Sequence, residues 1–167
     1  MGEKLTRGDV KRIEEEISHR KLVVRKELIE AVKEARAHGD LSENFEYYAA
    51  KREKNINESR IRYLERMLRN ATVIDTKSSP DEVGLNRKVE IWYVDDDETE
   101  TFKIVTSVRG DSLKNRISII SPLGKALMKH HVGDRVTVRV NDSVCYDVVI
   151  RSIGPEEEEL PEEMSSY

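Results

Sequence analysis

The chain of 167 residues has a single cysteine, Cys145, so no disulfide can form within the molecule. That cysteine sits in an apolar, strand-like run and reads as a small packed side chain rather than a nucleophile. Prolines number four, and the first is Pro80. The first 79 positions therefore offer no proline to stop a helix. Aromatic residues make up only 5% of the chain, too few for several ring-lined pockets. No apolar stretch reaches membrane-spanning length and no signal or transit peptide is recognisable, so a cytoplasmic protein is expected.

What the chain has is charge. Charged residues are 37% of the total, equal to the hydrophobic fraction. That is too polar for one large spherical core and suits a long, exposed helical pair. The net charge of −4 excludes a protein that binds phosphate simply by being cationic. The charge is uneven: residues 1–75 carry 17 Lys/Arg against 15 Asp/Glu, and residues 76–167 carry 12 against 18. Six of those 18 acids lie from Glu156 onward.

From Thr6 to His38 the apolar residues Val10, Ile13, Ile17, Val24, Leu28, Ala31 and Ala35 recur every three or four positions, the seam of a coiled coil. Thr6 is a candidate N-cap, with Asp9 three positions on. The seam is interrupted near Arg20 and Lys21. Gly39 is suited to end the helix. A second helix is expected from about Ser42 to Ala71, with a seam of Tyr48, Ile56, Ile61, Leu64, Leu68 and Ala71. The short turn between them requires antiparallel packing. Each helix of ~30 residues is on the order of 45 Å long.

The pattern changes near Val73. Ser78, Ser79 and Pro80 read as a linker. Short β-branched runs follow at 88–93, 101–108, 116–120, 135–140 and 144–153, separated by turn residues and expected to pair antiparallel. One short helix, capped by Ser121 with Pro122 at its first position, is expected over 123–129. The class is thus α+β: a hairpin over residues 1–75, a small β domain with one helix over 76–154, and an acidic tail over 155–167 that is expected to be disordered.

Residues 39–47, GDLSENFEY, place Asp40 and Glu43 at the hairpin turn. Two readings are open. Asp40 or Ser42 caps the second helix, with Glu43 and Glu46 in a first turn that favours anions. Alternatively, two protruding carboxylates complete a half-built Mg²⁺ site on another molecule, because alone they supply too few of the six oxygens that ion requires. Arg36, Lys51 and Arg52 lie close in sequence. They are either solvated charges on helix surfaces or contacts for a nucleic-acid backbone. The four histidines show no ligand spacing: His130 and His131 are adjacent, and His19 and His38 are far apart.

The runs ARAHGDLSENFEYYAAK and RIRYLERMLRNATVID, with SPLGKALMKHHVGDRV downstream, resemble the Gre family of bacterial transcript-cleavage factors over residues 5 to about 153. That resemblance implies a coiled coil inserted through the secondary channel of RNA polymerase, where the 3′ end of a backtracked nascent RNA has been extruded. Asp40 and Glu43 would then help hold the second Mg²⁺ of the polymerase active site and position the attacking water. Arg36 and Lys51, with Arg52 beside them, would contact the RNA. The second domain would be FKBP-like and dock on a polymerase coiled coil through the loop at Ser121, Pro122 and Leu123. It implies no free-standing enzyme activity and no Mg²⁺ held stably by the free chain. A monomer is expected, since the hairpin buries its own seam.

Four departures from the family pattern stand out. Phe45 replaces a small residue; its ring either stacks on a base or packs against the other helix, and packing is the favoured reading. Arg25–Lys26 stands where Arg-Pro is common, so a customary kink is not expected. Ile120 is apolar where the family is often polar, and the acidic tail extends past the usual end. Other readings are a channel-binding paralogue that inhibits transcription, a prolyl isomerase, and a structural adaptor. The isomerase reading suffers from the scarcity of aromatics, since Trp92 reads as a core residue and only Tyr93, Phe102 and Tyr146 accompany it.

Overall fold

A computed structural model of the chain describes residues 2–39 and 44–160. It divides into two compact units, one comprising Met1–Glu3 and Asp9–Thr72, the other Lys4–Gly8 and Val73–Tyr167.

The first unit is the helical hairpin. Helix α1 (Arg7–His19) passes into a π-helical turn, Arg20–Val24, and on into α2 (Arg25–Ala37); α3 (Phe45–Asn70) returns antiparallel. The buried residues of α3 are Tyr47, Ala50, Asn57, Ile61 and Leu64. With Lys54 and Leu68 they follow a strict three–four spacing, a heptad seam. Tyr48 and Ile56, assigned to the seam from sequence, are instead 52% and 56% exposed. Their apolar character concealed the polar residue that actually sits there, Asn57, which is 3% exposed. Asn57 Oδ1 accepts from Arg20 Nη1 at 3.0 Å, and its Nδ2 donates to the Arg20 carbonyl at 3.3 Å.

The expected interruption at Arg20–Lys21 is the π-turn. Spacing along the first strand of the hairpin alternates three and four up to Val24, then four and three, so two fours meet at Val24. A strict heptad is exceeded by one residue there, and a π-turn accommodates one extra residue without breaking the helix. No proline kink exists at Arg25–Lys26: the backbone stays right-handed helical through Val24 and Arg25. Ion pairs cross the hairpin within this turn and just after it. Arg25 engages Glu58 bidentately, Nε to Oε1 at 2.7 Å and Nη2 to Oε2 at 2.9 Å, and Lys21 pairs with Glu65.

The second unit is a five-stranded sheet, ordered β5-β4-β3-β7-β6. Two-residue strands β1 (Lys4–Leu5) and β2 (Thr72–Val73) precede β3 (Arg87–Tyr93), β4 (Glu98–Val105), β5 (Arg116–Ser118), β6 (Arg135–Arg139) and β7 (Cys145–Glu156). Within this unit Ile74 N donates to the Leu5 carbonyl at 2.8 Å. Alternation along β3 and β6 puts Val89, Ile91, Val136 and Val138 inward, where they meet Ile104, Val148, Ile150 and Leu127 of the short helix α4 (Pro122–Leu127). The α+β class is therefore the one read from the residues. The wholly antiparallel pairing is not: β4 and β5 run parallel, because residues 107–109 and 112–114 leave the strand as 3-10 turns and carry the chain back across the sheet end.

Three further expectations are corrected. Cys145 opens β7 at its exposed end and is not packed. Trp92 lies outside the core, half-buried, with Nε1 donating to Asp97 at 2.8 Å and the Arg151 guanidinium 4.8 Å from its ring centre. The acidic tail is ordered over 155–160, where its acids meet buried cations. β7 extends to Glu156, Glu157 pairs with Lys103 at 3.6 Å, and Glu159 pairs with Arg109 at 3.4 Å. Arg109, 2% exposed, also donates to the Leu160 carbonyl at 2.8 Å. Composition favoured disorder but could not show these distant cations. The rest of the tail, 161–167, lies outside the described residues.

Leu64 is 2% exposed in the seam. Leu64→Ala is expected to cost about 2–5 kcal/mol in urea unfolding followed by far-UV circular dichroism; a loss under about 1 kcal/mol would refute the seam. The Glu58 carboxyl is held below its ordinary 4.5 chiefly by its bond to Arg25. A carboxyl depressed in the folded state stabilises above its unfolded pKa, and that stability is lost as pH falls through the folded value. Glu58→Gln is therefore expected to lower thermal stability by about 1 kcal/mol at neutral pH. The gap should close in acid; a gap that persists there would refute the ion pair as its source.

Candidate functional site at the hairpin turn

The two helix ends at the turn are each closed by their own residues. α2 ends with His38 as C-cap, its N–H reaching the Ala35 carbonyl at 3.3 Å. Gly39 follows at φ +109°, a conformation that a side chain would strain. α3 starts from Asn44: its Oδ1 accepts from Tyr47 N at 3.0 Å, and its Nδ2 donates back to the Ala35 carbonyl at 2.7 Å. Asn44 thus caps one helix and ties down the end of the other. The capping role offered by sequence to Asp40 or Ser42 is filled by Asn44, whose side chain was overlooked there although asparagine is a favoured N-cap. Asp40, Ser42 and Glu43 lie outside the described residues. Glu46 does sit in the first turn of α3, 3.1 Å from His38 Nδ1.

The basic residues gather about a tyrosine. The Arg36 guanidinium lies 5.6 Å from the Tyr47 ring centre. Its bond to the Tyr47 hydroxyl, with the charges of Lys51 and Lys54, holds that phenol below its ordinary value. Arg36 and Lys51 are thereby brought together, both exposed. Arg52 faces further outward on α3 than Lys51. With Lys51, Tyr48, Asn55 and Ile56 it borders a shallow groove on the outer side of α3, about 420 Å³ in volume. Tyr47 was missed from sequence because Tyr48 beside it fitted the apolar pattern as well. Phe45, read as packing, is 86% exposed; as the first residue of α3 it points away from the seam.

In the second unit Ser121, Pro122 and Leu123 form the start of α4. Ser121 Oγ accepts from Gly124 N at 3.0 Å and donates to the Ser118 carbonyl at 2.6 Å, making a rigid corner. Gly124 is required there, since a Cβ would fall 2.0 Å from the Ser118 carbonyl oxygen. Pro122 is exposed, Leu123 is half-buried against the core, and Ile120 is 53% exposed. The corner thus presents Ile120 and Pro122 outward and turns Leu123 partly in.

Among the described residues, no three His, Cys, Asp or Glu side chains gather to hold a metal, and no helix is long and apolar enough to cross a membrane.

Residues 3–73 match the family pattern described as transcription elongation factor, N-terminal, and residues 77–155 match that of the GreA/GreB C-terminal part. Transcription elongation factor GreA of Geobacillus kaustophilus is 45% identical over 136 residues, covering 81% of this chain and 86% of that protein. GreA of Rhizobium etli is 41% identical over 152 residues, covering 90% and 96%. Among solved structures, GreA factor homolog 1 of Thermus thermophilus is 25% identical with a TM-score of 0.43, covering 93% of this chain and all 100% of that one. With both halves matched in tandem and relatives of this identity spanning most of either chain, the chain belongs to the GreA/GreB family of transcription elongation factors.

Proposed function

We propose that the hairpin enters the secondary channel of RNA polymerase and stimulates the polymerase's own cleavage of backtracked RNA. The observation that supports this most directly is the pair of closed helix ends. Gly39 terminates α2 and Asn44 caps α3, so Asp40 and Glu43 are not needed to cap either helix. On this reading the two acids between those helix ends act outside the fold.

Carboxylates are the right donors for Mg²⁺, but two of them leave its six-oxygen shell incomplete. They suit an ion shared with the polymerase active site rather than one held by the free chain. When bound there, that ion neutralises charge at the reacting phosphate and lowers the pKa of attacking water. The chain's own residues do the rest. Asp40 and Glu43 would supply carboxylates to the shared site, and Arg36, Lys51 and Arg52 would steady the extruded strand through its phosphates. The Ser121–Pro122–Leu123 corner, with Ile120 beside it, provides a rigid docking edge on the polymerase. On this reading the free chain has no nuclease activity, acts as a monomer and works in the cytoplasm.

The test is a backtracked elongation complex carrying 5′-labelled RNA and Mg²⁺. The chain should release short 3′ fragments, and Asp40→Ala or Glu43→Ala should abolish release while leaving polymerase binding intact. Normal cleavage by those variants, or slowed nucleotide addition without cleavage, would overturn the proposal. Lys51→Ala and Arg36→Ala should weaken the effect progressively more as salt is raised. Lys51 is the cleaner probe, because Arg36 also bonds Tyr47. Loss of effect independent of salt would return both to ordinary surface charges.

A further inference from the structure

On an ideal helix turning 100° per residue, the seam of α3 fixes which residues face outward. The four acids of this helix, Glu46, Glu53, Glu58 and Glu65, all fall on the two flanks of the seam. Glu58 and Glu65 are held there by Arg25 and Lys21. The outer face that remains contains no acid at all. Running along it from the turn are Phe45, Tyr48, Arg52, Asn55, Ser59 and Arg62, each exposed and spaced alternately three and four. Arg66 and Arg69 continue the line.

The end nearest the turn is the unusual part. Phe45 is 86% exposed and Tyr48 is 52% exposed, one helical turn apart on the same face. An exposed phenylalanine at the first position of a helix contributes nothing to the seam. Tyr48 packs against the Tyr47 ring in an edge-to-face arrangement, 5.5 Å between centres at 63°, while half of its surface stays exposed. The shallow groove that follows is bordered by Tyr48, Lys51, Arg52, Asn55 and Ile56, cations and apolar surface without an acid. Two rings followed by cations along an acid-free track match the chemistry of single-stranded nucleic acid, whose bases stack on rings while its phosphates meet the cations.

We propose that Phe45 and Tyr48 form a base-stacking platform for single-stranded RNA, with Arg52 holding the phosphate beyond it. The identification of the strand as the extruded transcript rests on the cleavage reading above. Phosphate contacts alone are indifferent to the bases. The platform makes the chain sense whether a base is present next to the phosphates, and so gives the tip a grip that persists when salt weakens the ionic contacts.

The experiment uses the full chain without polymerase. Fluorescence anisotropy measures its binding to a labelled oligoadenylate and to an abasic strand of equal length and charge. The wild type should prefer the strand with bases by on the order of tenfold. Phe45→Ala and Tyr48→Ala should each lose about that factor for oligoadenylate and nothing for the abasic strand; Phe45→Trp should restore it. Arg52→Ala should weaken both strands equally. Equal binding of the two strands by the wild type, unchanged binding by the ring variants, or no binding of either strand would overturn the platform; the rings would then face a protein surface or solvent. Failure of the cleavage reading is separable. It would appear as Asp40→Ala cleaving normally in backtracked complexes while the base preference of the free chain persists.

Discussion

The bond between Asn57 and Arg20 is the point from which the hairpin's geometry follows. A polar side chain 3% exposed in a heptad seam must be satisfied, and Asn57 is satisfied by the guanidinium and carbonyl of one residue opposite. That carbonyl belongs to the π-turn, where the looser helix has room for the extra residue of the first strand. The pairing therefore fixes the register at the place where the repeat slips. A buried asparagine in a coiled coil is known to select register at some cost in stability. Arg25–Glu58 and Lys21–Glu65 then lock the flanks on either side of the slip.

Once the register is fixed, the surface of α3 is no longer free to vary. The seam takes Tyr47, Ala50, Asn57, Ile61 and Leu64, the flanks take the acids, and the rings and arginines are left facing out. The same constraint sets the turn. Asn44, one helical turn before Tyr47, bonds both the start of α3 and the end of α2, so the last residues before and after 40–43 are held together. Arg36 and Lys51 meet around Tyr47 because that ring sits at the edge of the seam between the two helices. An exposed ring, two cations and a braced turn are consequences of one packing pattern rather than separate devices.

The second unit obeys a different economy. Its core is built by strand alternation, and its closing segment is held by charge. Lys103 and Arg109, at 7% and 2% exposure, would be costly without partners. Glu157 and Glu159 supply carboxylates to them, and this draws the chain end past β7. The same principle governs Arg87, 7% exposed, which donates to the Pro80 carbonyl at 3.0 Å. In both cases the partner of a buried cation holds an apparently loose segment in the fold.

Much of this was legible in the residues. The absence of proline and the three–four spacing specified two long helices. Gly39 marked the end of one, Ser121 with Pro122 marked the start of another, and alternating β-branched runs marked the strands. Those are local properties, set by backbone sterics and by which residues recur at a helical or strand period. The family resemblance likewise rested on contiguous motifs. What only the tertiary structure decided were choices between neighbours: Tyr47 over Tyr48 for the seam, Asn57 over Ile56, Asn44 over Asp40 or Ser42 for the cap. In each case the two candidates are close in sequence and similar in propensity, and the distinction depends on what the opposing helix presents. The parallel β4–β5 pair and the ordered tail at Glu157–Glu159 were hidden for the same reason. The partner of β4 lies beyond two intervening 3-10 turns and the partners of the tail tens of residues away, and a pattern of local preferences carries no information about which distant charge or strand edge will be waiting.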